Sequence, residues 1–404
     1  MKAREFFFLK KALLTCAGAI GFYYIVVRYV HKLIRSQPGY TSFPISGDSA
    51  TKIISLQYQN SFPLTTIRRP QLLNSPPQAG YPTYTSLLDT ISTWNPDNPD
   101  PPAVFTETLQ HFNYSDTVER SYAQKFRDAE IPFKLYGVPE ILHVVNKWDD
   151  NYLADKMKYE SSRVEESKSN HFMFWNIMRD RTGVAFVPPT DLVSMPFIDW
   201  LEIAKKADIQ KVKSNSTHYY FMTGTSAEDN LQSYVSRDLQ FFSTRENNFF
   251  ITNVEANKGI QCRFGMRGII AEAHYDSGRN MVAMLKGAKR YIIIPPRECK
   301  KLGIITDQKH PSFRHSSIDW SDLNEAIEHD FASVDAIDTI VQTGEVLYIP
   351  SYWFHYIVSL KYSIQCNSRS GSPPNREGQA DIDECLGKQK MWLVLTRLHH
   401  VIDR

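Results

Sequence analysis

The spacing of apolar positions changes character near residue 218. Upstream, TETLQHF and VERSYAQKF (within 106–126) carry helical spacing, KWDDNYLADKM predicts a further helix, and FIDWLEIAKKA is amphipathic through Phe197, Trp200, Leu201 and Ala204. IPFKLYGVP, among them, reads as a strand running into a turn. From His218 onward the runs are short and rich in β-branched and aromatic residues: HYYFMTG, QCRFGMRGII, NMVAMLKG, KRYIIIPP, GEVLYIP, YWFHYIVSL and KYSIQCN. Gly, Pro and charged turns separate them, which predicts a jelly roll. SIDWSDLNEAIEHDFASV reads as a helical insert between strands, and MWLVLTRLHHVI predicts a helix in the tail. The expected class is therefore mainly β, a double-stranded β-helix with flanking helices.

One apolar run stands outside this pattern. Ala12 to Val27, ALLTCAGAIGFYYIVV, carries no charge and is flanked by Lys2, Arg4, Lys10 and Lys11 before it and by Arg28, Lys32 and Arg35 after it. Such a run just spans a thin bilayer as one transmembrane helix. The slight basic excess on the amino-terminal side predicts a single-pass type II membrane protein, with residues 1–35 as cytosolic tip and anchor and the rest in the ER/Golgi lumen. A signal peptide cleaved after Ala19 and an organelle-targeting segment are the competing readings. Sequons at Asn113 and Asn215 are compatible with a lumenal face. Residues 36–107 hold half of the 22 prolines and read as a stalk or wrapping segment, leaving a globular unit over 108–372 and a helical tail over 373–404 that could pack on the barrel or form a homodimer.

Composition adds little. With 46 basic and 44 acidic residues the formal charge is only +2, which predicts no nucleic-acid partner. Aromatics at 13% serve mostly as core. Five cysteines without CxxC spacing exclude a zinc knuckle and leave one or two disulfides open.

The chemistry lies in the strands. A mononuclear non-haem iron site needs two imidazoles and one carboxylate on one face of the ion. Side chains two apart on a strand share a face, so His274 and Asp276 in AEAHYDSG can reach one ion, and His355 in YWFHYIVSL can complete it from another strand. With 12 His and 44 acidic residues, about one His-x-acid triplet is expected by chance, so the setting matters more than the triplet. That setting is Asn280, then LKGAKRYIIIPP, then GEVLYIPSYWFHYIVSL. His310, His315 and His329 read as ordinary hydrogen-bonded histidines.

On these motifs residues 115–370 resemble the Jumonji-C (JmjC) cupin-like family of Fe(II)- and 2-oxoglutarate-dependent oxygenases, with a pattern nearest the asparaginyl hydroxylase that acts on hypoxia-inducible factor. The resemblance implies a cupin barrel and the cofactors Fe(II) and 2-oxoglutarate. It implies iron ligands at His274, Asp276 and His355, a cosubstrate lysine at Lys289, a cosubstrate tyrosine at Tyr220, and pocket asparagines at Asn280 and Asn367. Tyr219 would replace Tyr220 after a one-residue slip. Two positions depart from the family. Ala271 lacks a threonine hydroxyl, worth about 1 kcal/mol to the bound cosubstrate, and Met222 replaces a substrate-side glutamine. The expected function is a dioxygenase hydroxylating a protein side chain. The alternatives are a membrane-tethered binding or scaffold protein on the same barrel and a Zn or Mn cupin.

Overall fold

Strands largely buried on both faces occupy the centre of the protein. They are β1 (Asn257–Gly265), β2 (Ile270–Tyr275), β3 (Asn280–Lys286), β4 (Ala288–Ile294), β5 (Asp335–Gln342), β6 (Val346–Ile349), β7 (Phe354–Ser359) and β8 (Ser363–Ser370). The structure, a computed structural model, describes residues 65–77, 83–93, 95–158, 161–181, 183, 185–372 and 378–388. The anchor of residues 1–35 and the MWLVLTRLHHVI helix lie outside these residues. Among the described residues no helix is long and apolar enough to cross a membrane.

The strands form two sheets, ordered β6-β3-β8-β1 and β5-β4-β7-β2. The first grows to nine strands by adding Phe133–Tyr136 and then His111–Asn113 beyond β6, and His218–Thr225, Ser161–Ser167 and Asp191–Pro196 beyond β1. The second grows to six by adding Thr85–Ser86 beyond β5 and His171–Phe172 beyond β2. With its helices the architecture is a mixed α/β cupin-like sandwich, more helical than the mainly β class expected from sequence.

The amphipathic helix forms as its spacing predicts. Phe197–Gln210 buries Phe197, Trp200, Leu201 and Ala204, and the Trp200 ring meets Phe221, Phe264 and Tyr362 at 5.5–5.9 Å. Two other predicted helices carry aspartate caps, Thr117–Asp128 behind Asp116 and Asp150–Lys156 behind Asp149. TETLQHF is not a helix. It forms the end of the strand Val104–Thr106 and the start of His111–Asn113, because Glu107 between them is buried against Lys134 at 2.8 Å and accepts from the Thr339 hydroxyl at 2.8 Å. That buried pair draws the segment against Phe133–Tyr136 in parallel register. QCRFGMRGII is two strands, the end of β1 and the start of β2, turning at Gly268 with φ +84°. The helical insert shrinks to Leu323–Glu328 and a short turn at Phe331–Ser333.

Two disulfides close the structure. Cys262–Cys366 joins β1 to β8, and Cys299–Cys385 ties the helix Gln379–Cys385 to the turn Pro296–Lys301. Replacing Cys299 and Cys385 by serine is expected to destabilise the oxidised protein by about 2–4 kcal/mol through the freed unfolded chain. The urea midpoint should fall accordingly, and a midpoint unchanged by the double substitution would show that the bond contributes nothing.

Candidate metal centre

The triad arises from register. β2 and β7 run antiparallel, and after an irregularity between Ala271 and His274 the pairing sets His274 directly opposite His355. Their rings lie 4.3 Å apart, and Asp276 follows immediately beyond β2. One ligand atom from each of His274, Asp276 and His355 lies within 4.8 Å of the other two.

Hydrogen bonds select the atoms. His274 Nδ1 lies 2.7 Å from the Glu272 carbonyl and His355 Nδ1 lies 3.1 Å from the Trp353 carbonyl. A carbonyl only accepts, so both Nδ1 atoms carry the proton and both Nε2 atoms keep a lone pair for a metal. Burial holds both imidazoles below the usual range and therefore neutral, as metal ligation requires. Asp276 Oδ1 accepts from Arg369 and, at 3.3 Å, from Arg314, while Oδ2 faces His355 Nε2 at 4.0 Å. Burial alone would raise the Asp276 carboxyl, but Arg369 above all, with Arg314, holds it well below the usual range. The donor set of two neutral imidazoles and one ionised carboxylate oxygen fits a ferrous ion.

A cavity of about 190 Å³ leads from the triad into the barrel. Tyr220 lines it, whereas Tyr219 on the opposite face interacts with Glu166, so the register favours Tyr220. Asn280 and Asn367 line it as a pair, Asn367 Nδ2 donating to Asn280 Oδ1 at 2.9 Å. Lys289 is fully buried beneath Tyr220, its Nζ 3.2 Å from the phenol oxygen. Burial, reinforced by the charge of Arg263, pushes Lys289 down to about 7. Ala271 and Met222 also face the cavity.

Other lining residues escaped the sequence reading. Arg263, Glu165, Arg314 and Arg369 all face the cavity. His315 does so too, stacked on His274 at 4.9 Å, while its Nδ1 faces the Ser312 and Phe313 carbonyls as a satisfied histidine's would. A signal existed: Gln261 and Arg263, then Gln365, Asn367 and Arg369, are large polar residues two apart that alternate with small or apolar ones, which marks an inward polar face.

The profile of the cupin-like domain family matches residues 119–368, more than half of the chain. The chain belongs to this family. Curated relatives share the same region at low identity. The chain is 30% identical over 111 residues to JmjC domain-containing protein D of Dictyostelium discoideum, covering 28% of this chain and 25% of that protein. It is 29% identical over 112 residues to lysine-specific demethylase JMJ30 of Arabidopsis thaliana, covering 26% and 24%. It is 27% identical over 105 residues to tRNA wybutosine-synthesizing protein 5 of Danio rerio, covering 26% and 30%. The matched stretch thus spans about a quarter of these relatives' length. Within the cupin-like family the His274, Asp276 and His355 cluster is a candidate iron site.

Proposed function

We propose that this cupin-like protein is an Fe(II)- and 2-oxoglutarate-dependent dioxygenase that hydroxylates a protein side chain. The observation that carries the reading is the convergence of His274, Asp276 and His355 at one end of a cavity beneath which a buried lysine lacks a carboxylate partner. A bound ferrous ion would supply the centre at which dioxygen and the 2-oxo acid react. The protein's part is positional. Tyr220, a neutral phenol because burial raises it, presents a donor to the cosubstrate's distal end. Asn280 and Asn367 hold each other at the wall, and the apolar side chains of Val282, Ile349 and Ile357 exclude water beside them.

A wider cleft of about 830 Å³ adjoins Asp276 and is lined by Arg179, Lys258, Arg314 and Arg369. A cleft of that size has room for a short peptide segment beside the triad. The motif likeness to an asparaginyl hydroxylase supports a protein substrate, and Met222 supports a different one. Two disulfides are consistent with the lumen of the secretory pathway. Together with the charge-flanked run at 12–27 and an exposed Asn215, they support a type II, lumen-facing enzyme.

The test is turnover. The purified chain is expected to convert 2-oxoglutarate to succinate with Fe(II) and not with Zn(II), measured by NMR. Tight metal binding without any conversion across acidic and neutral peptide pools would favour a binding protein on the same barrel.

A further inference from the structure

Arg263 is a half-buried cation that forms no ion pair among the described residues. It stands on β1, on the same face as Gln261, opposite Met222 on one neighbouring strand and Gln365 on the other, and it faces the cavity. Its one hydrogen bond is a long contact of 3.5 Å from Nη1 to the Cys262 carbonyl. Among the described residues no carboxylate oxygen lies within 4.0 Å of the guanidinium. Glu165, on the same wall, lies 3.6 Å from Arg163 and attracts the Arg263 guanidinium only from beyond ion-pair distance. Lys289 close by has no carboxylate partner either; it stands behind Tyr220 rather than on the cavity wall, its ammonium 5.1 Å from the centre of the Tyr220 ring, and the phenol occupies one of its donors. The cavity-lining guanidinium and the ammonium behind the Tyr220 ring therefore lie near each other with no carboxylate oxygen within 4.0 Å of either, an arrangement that favours an anionic ligand in the cavity.

We propose that Arg263 is the principal contact for the distal carboxylate of the 2-oxo dicarboxylic acid, replacing the hydroxyl that Ala271 lacks. A guanidinium offers two parallel N–H donors that match the two oxygens of a carboxylate, which a lysine cannot do. Lys289, beneath Tyr220, then orients the phenol and adds charge from below. The proposal rests on the dioxygenase reading only in taking the metal-bound end of the ligand to be a 2-oxo acid.

The test compares two acids that differ at the distal end. The Zn(II)-loaded full chain is titrated calorimetrically with 2-oxoglutarate and with 2-oxobutyrate, which lacks the distal carboxylate. The wild type is expected to prefer 2-oxoglutarate at least tenfold. Arg263→Met should erase that preference and leave the affinity for 2-oxobutyrate unchanged, while Arg263→Lys should restore part of it. A preference that survives Arg263→Met, or an Arg263→Lys variant no better than Arg263→Met, would overturn the assignment and leave Lys289 as the anchor. Should Arg263→Met not fold, the Arg263→Lys titration decides: full wild-type preference in that variant overturns the need for a guanidinium. A wild type that binds neither acid overturns the dioxygenase reading, and the assignment falls with it.

Discussion

His274→Ala is expected to abolish Fe(II)-dependent succinate formation and to weaken metal binding by roughly a hundredfold or more. His274 is the ligand most surrounded by the site: its ring lies between His355 at 4.3 Å and His315 at 4.9 Å, and its Nδ1 proton is fixed on the Glu272 carbonyl. Removing it leaves one imidazole and one carboxylate, too few to hold a ferrous ion against water. His315 is poorly placed to substitute, because its ring is stacked beside His274 and it stands outside the group of ligand atoms that lie within 4.8 Å of one another. The side chain faces the cavity, so thermal stability should change little. Equilibrium dialysis for iron and NMR for succinate check both effects. A variant that keeps wild-type metal affinity would remove His274 from the ligand set.

Lys289→Met should stabilise the empty protein by on the order of 3 kcal/mol at neutral pH, an unusual direction for a change at a binding site. The amine is fully buried, and burial pushes it down from 10.5 to about 7. Between those two pH values the unfolded chain binds the proton and the folded chain does not, so wild-type stability rises with pH across that window. Below about 7 both states carry the proton and the folded state bears the full penalty. The advantage of the methionine variant is therefore greatest at and below pH 7 and fades as pH climbs toward 10.5. Urea midpoints at pH 6.5 and 9.5 measure it. Saturating 2-oxoglutarate with Zn(II) should narrow the gap at pH 6.5, since a bound anion compensates the charge. A variant less stable than wild type at pH 6.5 would show that the amine is already compensated.

Local patterns account for the elements that were predicted well. Phe197, Trp200, Leu201 and Ala204 are all buried because a stripe at helical spacing has one face to hide. Asp116 and Asp149 cap the two helices that apolar spacing predicted. The helix Pro139–Lys147 was not predicted, although its proline sits where a first helical turn tolerates one. TETLQHF misled because its apolar spacing is helical by accident while Glu107 answers to Lys134, a partner that no local window contains. β5 was missed because DAIDTIVQ follows directly on the helical insert and is buried through its sheet partners rather than by a simple alternation.

The sequence by itself determined the residue types of the candidate metal site. His274 and Asp276 share a strand face by spacing alone, and the motifs around Lys289 and His355 were enough to indicate the family. The meeting of His274 with His355 was decided only by the tertiary structure, since it depends on the register of β2 against β7 after an irregularity. The charge environment was decided there as well. Arg369 and Arg314 converge on Asp276, and Arg263 on the cavity wall lies near Lys289 behind Tyr220, because the barrel brings strands distant in sequence together. Electrostatic energy depends on distance through space and on burial, and neither is a function of separation along the chain.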